Sequence, residues 1–478
     1  MNSSHQDKLN FSLAVFGLLI VFSIPLFMQL DYLSIDSWDE ALFAIRAYYI
    51  AEHGVPIKDF SQLPGLTEVH NSKPALMSYV QAGFMKLFGY NELALRLPTS
   101  LSFIALCFSL VYYSKKILQS YSIGIIASIL LVSTPAMLSA HMGRSANQDI
   151  PFALFCFLFV VQAYFYIEDQ KQKNLILSLV FFTMAFFTKS VSIFLCFPAL
   201  ILFAFSSKKI KQLIKAKTFW LGLSVILVIV LLSYFNGARH LGNVKRISHV
   251  IMHEGNFLFY LQRIFFEESF PLIFLLFFIY SIFQSEKPKF ILLVILEAIV
   301  ILTILSAAQT KLIWYAAPVY PFLTLASAYG IHYSLKSLAS VELKASYTKQ
   351  FFLYLAILIP PYVAAIKSVY LVQEPSPTNE LCQLLKRSKE SFPEIKNIKL
   401  VDVSEGSYAP NVEYYCLLYK EKYNYQIELL SSLQKLNPGD YILVFDENQA
   451  SELLKKYEVI KKLQFQDSYA YLVGSAIY

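Results

Sequence analysis

The chain has 478 residues, 56% of them hydrophobic, 16% aromatic and only 15% charged, with a formal net charge of +7. Soluble domains carry roughly a quarter charged residues and could not hide this much apolar surface, so the composition excludes an ordinary water-soluble enzyme and makes the chain a polytopic membrane protein. The charge is too small and scattered for nucleic acid. The five cysteines show no metal-finger spacing, and three of them (Cys107, Cys156, Cys196) sit in apolar runs as small hydrophobes, leaving Cys382 and Cys416 as the two able to pair outside the bilayer.

In chain order, the first apolar run covers 11–30 and is followed by Asp31 rather than a small-residue cleavage site, so it reads as a retained span. The segment 75–90 is too short and too polar to cross, and reads as an interfacial helix. Further runs at 93–113, 122–141, 151–167, 174–188, 190–206, 218–235, 270–284, 290–308, 313–334 and 350–371 give about eleven spans, with room for up to 13. Several fall short of the roughly 20 residues a straight crossing needs, and 174–206 also reads as one broken element.

Lysine and arginine in short loops set the orientation, because cytoplasmic loops retain them. With the N-terminus inside, Lys8, Lys115, Lys116, the cluster Lys208 to Lys217, Lys287, Lys289 and Lys336 all fall inside. An odd span count then places 372–478 outside, together with the first outer loop, 31–92. The tail differs in composition, with 12 Lys/Arg and 15 Asp/Glu. Short apolar runs at 398–403, 414–419, 441–447 and 469–475, separated by helix-like stretches near 378–390 and 449–457, predict a small α/β domain. It has no glycine-rich phosphate loop, and a scaffold or acceptor-gripping lid is its simplest reading. The chain therefore divides into a membrane domain, 1–371, and an extracytoplasmic soluble domain, 372–478.

The chemistry is expected on the outer face. Asp39 and Glu40 precede Leu42, Ile45, Tyr49 and Ile50 at helical spacing, so the acidic pair opens an amphipathic helix, where carboxylates also serve as simple caps. Arg144 and Asp149 lie in a tight outer turn, HMGRSANQDIP, and Lys189 and Lys311 interrupt apolar runs. An ionisable residue at a span end is costly to place and marks function by default, with snorkelling the alternative for the lysines. Two acids at a water–lipid boundary can orient and deprotonate a hydroxyl, and cations can stabilise a departing phosphate. Glycosyl transfer from a polyprenyl-phosphate sugar needs these parts.

Five segments in order, WDEALFAIRAYYIAEHGVPIKDF, NSKPALMSYVQAGFMKLFGYNELALRLPTSL, TPAMLSAHMGRSANQDIP, AFFTKS and KLIWYAAPVYP, resemble the bacterial GT-C glycosyltransferases of the aminoarabinose:lipid A transferase and protein mannosyltransferase-like family, over about residues 10–330. The resemblance implies an all-α membrane bundle with outer interfacial helices. It also implies Asp39 as principal catalytic residue with Glu40 beside it, Asp149 as second acid, and a donor-phosphate site drawn from Lys73, Arg144, Lys189, Lys311 and Tyr315. The family's KPPL-type motif is KPAL here, with Ala75 for the second proline.

The expected reaction is direct, inverting transfer to lipid A, another envelope glycan or lipid, or a protein, at the outer face of the bacterial inner membrane. No catalytic metal is expected, since DSWD (36–39) is no DxD motif; a structural zinc on His240, His249 and His253 is a minor alternative. A transporter or lipid flippase is the rival reading. It predicts inverted repeats and charges near the bilayer midplane, whereas the charges singled out here gather at one face and no internal repeat is visible. A purely structural membrane protein is disfavoured by the same clustering.

Overall fold

The structure, a computed structural model, describes residues 17, 20–22, 24–36, 39–54, 74–139, 141–238, 255–267, 272–284, 287–341, 347–370, 377–401, 410–430, 436–444, 447–465 and 468–476. Lys73 and the three histidines of the 239–254 loop lie outside them. The chain forms two compact units, one of residues 1–28, 72–77 and 98–371, the other of 29–71, 78–97 and 372–478.

The first unit is helical. Among the described residues of the chain, five helical segments are long and apolar enough to cross a membrane: Glu92–Leu118, Asp149–Asp169, Gln172–Ser206, Lys289–Ala307 and Phe352–Val369. The Gln172–Ser206 segment is the broken element that the sequence allowed, because a 3₁₀ stretch at Ser190–Cys196 joins the helices Gln172–Lys189 and Phe197–Ser206. Shorter apolar helices run over Tyr121–Val132, Lys217–Leu232 and Ile273–Phe283. Large apolar side chains point outward from these helices, among them Trp220, Leu221, Leu227, Phe352 and Ile359. A helix apolar on its outer face needs lipid rather than water as solvent, and the chain is a multi-pass membrane protein.

Tight helix contacts are built on small residues. A Cβ on Gly330 would stand 2.1 Å from the carbonyl oxygen of Phe277, and one on Gly124 would stand 2.4 Å from Cα of Val111. Hydroxyls reinforce the same two contacts: Ser327 Oγ donates to Phe274 O at 3.0 Å and Ser128 Oγ to Cys107 O at 2.9 Å.

The second unit carries a five-stranded sheet in the order β2 (Gln426–Leu430), β1 (Asn397–Val401), β3 (Tyr441–Val444), β5 (Ser468–Ala476), β4 (Tyr457–Phe465). β1 pairs in parallel with β2 and β3, and β5 runs antiparallel to β3 and β4. All four residues of central β3 are buried. Helices Pro377–Ser391, Pro410–Tyr423 and Glu447–Lys456 complete the α/β part.

Three tail elements differ from expectation. The run 414–419 reads as a strand but lies in a helix, which buries Tyr414, Tyr415, Leu418 and Tyr419 at one-turn spacing. The apolar residues of β2 are interrupted by Glu428 and those of β4 by Glu458, Lys461 and Lys462, so neither strand forms a continuous run in the sequence. Unit two also contains the start of the first outer loop. Tyr415 Oη accepts from the Ile35 N–H at 2.9 Å and donates to Glu92, while Ser34 Oγ donates to Asn379 O at 2.9 Å. Burial, with Glu92 beside it, pushes the Tyr415 hydroxyl well above its usual range. Ion pairs Lys386–Glu92 (3.0 Å) and Lys422–Glu52 (2.7 Å) add to these links.

Candidate active site

In the first unit, the site grows from a helical hairpin. Asp149–Asp169 and Gln172–Lys189 are antiparallel helices of near-equal length, joined at Gln170, whose φ of +57° closes the first of them. Equal arms bring the first residue of one to the last residue of the other. Asp149 thus opens one helix and Lys189 ends its partner, each at the end its charge favours, and the buried acid and half-buried lysine form an ion pair. The chain then turns sharply through Ser190, a non-glycine residue at φ +53°.

Beside the pair is a cleft of about 420 Å³ whose lining includes Pro74, Gln148, Phe152, Lys189, Ser190 and Tyr315. Lys189 Nζ stands 4.7 Å from the centre of the Tyr315 ring and 5.8 Å from that of Phe152. Gln148 is 7% exposed, and its side-chain oxygen is buried without a hydrogen-bond partner among the described residues. A cation, an acid, an aromatic ring and an open amide oxygen can hold a phosphate and the polar edge of a sugar together.

The turn before Asp149 is fixed from several directions. Thr99 Oγ1 donates to Asn147 O and Ser100 Oγ to Gly143 O, both at 2.9 Å. A Cβ on Gly143 would meet Met137 O and the Phe103 ring at 2.9 Å, so that position requires glycine. The His141 ring stacks on Trp314 at 4.0 Å.

Two expected phosphate ligands have other work. Arg144 donates to the carbonyls of Pro25 (2.6 Å) and Met28 (2.7 Å), tying the turn to the end of the first helical segment. Lys311 is 4% exposed, and its ammonium donates to the carbonyls of Leu305, Ser306 and Ala308. Three donors meet three acceptors, which caps the C-terminus of Lys289–Ala307. Burial also lowers the Lys311 pKa from the ordinary lysine value. Glu297, in the middle of that helix, is fully buried, with both carboxyl oxygens unpartnered among the described residues. It is a membrane-embedded acid that sequence reading passed over and that does not line the cleft.

In the second unit, Asp39 is the half-buried first residue of Asp39–His53, a helix that starts at the expected acidic pair. Glu40 is 1% exposed and bound in a fork by Arg96, with Nε to Oε1 at 2.9 Å and Nη2 to Oε2 at 3.0 Å. The rest of Arg96 donates to the carbonyls of Leu30, Leu33 and Ser34, and the Asp36 N–H donates to Glu40 at 2.7 Å. Glu40 is therefore the keystone of the loop entering the helix, and Arg96 its unforeseen partner. The visible signal was an arginine inside the apolar run LALRLPTSL.

Comparison with known proteins extends these observations. A sequence profile of the dolichyl-phosphate-mannose-protein mannosyltransferase family matches residues 72–234. No curated protein sequence matches the chain. Among solved structures, ArnT from Cupriavidus metallidurans bound to undecaprenyl phosphate is similar with a TM-score of 0.60 at 13% identity, over 96% of this chain and 97% of that one. The Archaeoglobus fulgidus oligosaccharyltransferase tethered to an acceptor peptide gives a TM-score of 0.56 at 10% identity, over 98% and 74% of the two chains. The chain has the GT-C glycosyltransferase fold, as the five sequence segments implied.

Proposed function

We propose that the protein is a membrane glycosyltransferase that moves a sugar from a polyprenyl-phosphate donor to an acceptor at the extracytoplasmic face of the bacterial inner membrane. The observation that carries this reading is the part-buried Asp149–Lys189 pair beside a polar-edged cleft, in a chain with the fold of ArnT, whose solved structure holds undecaprenyl phosphate. Lys189 is the cation assigned to the donor phosphate, with Tyr315 packed against it, and Lys73 is assigned beside it on the sequence resemblance alone. Asp149 holds Lys189 in place, and the Gln148 oxygen accepts from a sugar hydroxyl. Arg144 and Lys311 act as positioning residues through the backbone they hold, and Glu40 positions Asp39.

In the reaction, the acceptor oxygen attacks the anomeric carbon and forms the new C–O bond as the bond from that carbon to the phosphate oxygen breaks. The electron pair leaves on the polyprenyl phosphate, whose growing charge Lys189 meets. The acceptor proton passes to the Asp39 carboxylate. The acceptor is lipid A, another envelope glycan or lipid, or a protein.

Mass spectrometry of envelope lipids and glycans from cells with and without the gene tests this reading, the expected result being one missing sugar on one acceptor class. The first prediction sharpens it. Asp39→Asn lowers transfer by the ~10²- to 10⁴-fold that a positioned base contributes, with the unfolding temperature of the purified protein nearly unchanged. Wild-type turnover in that variant removes Asp39 from the mechanism, and identical lipid and glycan masses with and without the gene overturn the transferase itself.

A further inference from the structure

Arg46 lies on the Asp39–His53 helix and is 3% exposed, and its Nε and Nη1 are both buried without a hydrogen-bond partner among the described residues. Arg96 shows how this chain treats a buried guanidinium that it needs for structure: carboxylate and carbonyls take up its fork. Arg46 has no such set. A guanidinium carries five N–H donors and keeps its charge, so an unpaired one in a dry site is among the costliest groups a fold can retain. Burial lowers the Arg46 pKa to about 10, and the neighbour that counters it is Tyr79, a 47% exposed residue of the Leu76–Phe88 helix.

The place of Arg46 on its helix gives the orphan a direction. Seven residues, two helical turns, separate it from Asp39, so the two share one face about 10.5 Å apart along the axis. Leu42 and Phe43, both buried, lie between them. A flat fork of donors in an apolar setting matches the two oxygens of a phosphate or a carboxylate.

We infer that Arg46 is the receptor for a phosphate or carboxylate group of the acceptor, gripped about two helical turns from the hydroxyl that Asp39 handles. The acceptor is then an acidic molecule, with its charge set apart from the reacting oxygen. That identity rests on the role given to Asp39 above, whereas the anion site itself rests on Arg46 alone.

The test uses the full-length protein purified in detergent and titrated with inorganic phosphate while thermal unfolding is followed, for the wild type, Arg46→Met and Arg46→Lys. Phosphate is expected to raise the wild-type unfolding temperature. Arg46→Met should weaken that response by roughly tenfold to a hundredfold in apparent affinity, the worth of a charge-assisted contact, and Arg46→Lys should weaken it less. Without phosphate, Arg46→Met should unfold no earlier than the wild type, because an uncompensated charge has given way to an apolar chain.

A wild type indifferent to phosphate, or a Met variant that responds as the wild type does, overturns the site. If the Met variant does not fold, the Lys variant decides, and an undiminished response in it overturns the forked contact. A second arm measures retention of undecaprenyl phosphate. Equal retention by the wild type and Arg46→Met assigns the anion to the acceptor, and parallel loss of both phosphates moves it to the donor and overturns the acceptor assignment. Neither readout needs sugar transfer, so failure of the transferase reading leaves the Arg46 result standing on its own.

Discussion

Glu40 and Arg96 show how a residue type that fits catalysis can belong to the frame of a site. Adjacent acids at a helix start offer two candidate bases, but the fork from Arg96 occupies both oxygens of Glu40 and leaves Asp39 as the half-buried one. The two readings part in one variant. Glu40→Gln takes one partner from a buried pair, which costs on the order of 3–5 kcal/mol of stability because Arg96 is left with an uncompensated charge. The expected outcome is a clear fall in unfolding temperature, with turnover per folded molecule largely kept. A Glu40→Gln protein as stable as the wild type but inactive would return Glu40 to the chemistry. Lys311 and Arg144 follow the same logic, since helix ends need donors and acceptors and these long cations satisfy carbonyls that lipid cannot.

At the scale of elements, the small-residue contact between Tyr320–Val341 and Leu272–Phe283 tests how the bundle is held. Its Gly330 lies so close to Phe277 that any side chain must push backbone apart, and interiors packed to crystal density answer with strain of about 1–3 kcal/mol. Gly330→Ala is therefore expected to lower thermal stability measurably in detergent, whereas Gly83→Ala, on a helix with open space at that position, should not. Equal stability of the two variants would show that this contact is looser than drawn.

Elements were legible in the sequence wherever an apolar period ran long enough. The hairpin helices 149–169 and 172–189, the helix opening at Asp39 and strands β1, β3 and β5 all stand where the pattern placed them. The misreadings have physical causes. YYCLLY has the aromatic content of a strand, yet its buried face repeats at one helical turn, and edge strand β4 interrupts its apolar residues with Glu458, Lys461 and Lys462 on a half-exposed ribbon. The site was legible as residue types but not as partners. Nothing local in the sequence says that Lys189 meets Asp149, that Glu40 meets Arg96, or that the Gln148 oxygen and Nε and Nη1 of Arg46 have no hydrogen-bond partner among the described residues.

At the scale of the whole molecule, the decisive feature is that the first outer loop and the tail contribute to one compact unit although more than 300 residues separate them in the chain. Ser34 with Asn379, Tyr48 Oη with Glu421 at 2.7 Å, and Glu92 with Tyr415 and Lys386 are contacts that two segments on opposite sides of a bilayer could not make. The lysines of 208–217 argue independently from the other direction, since a short loop so rich in positive charge stays cytoplasmic. Single cysteines at three exposed positions, His53→Cys on the first loop, Ser451→Cys on the tail and Lys211→Cys on the basic loop, turn both arguments into a measurement. With a membrane-impermeant maleimide on spheroplasts, the first two should label at once, and the third only after the membrane is opened. Labelling of His53→Cys without Ser451→Cys would break the second unit apart and take the tail out of the acceptor's path. Immediate labelling of Lys211→Cys, with protection of the other two, would invert the protein and move the proposed chemistry to the cytoplasm, where the donor sugar would have to be presented from the opposite leaflet.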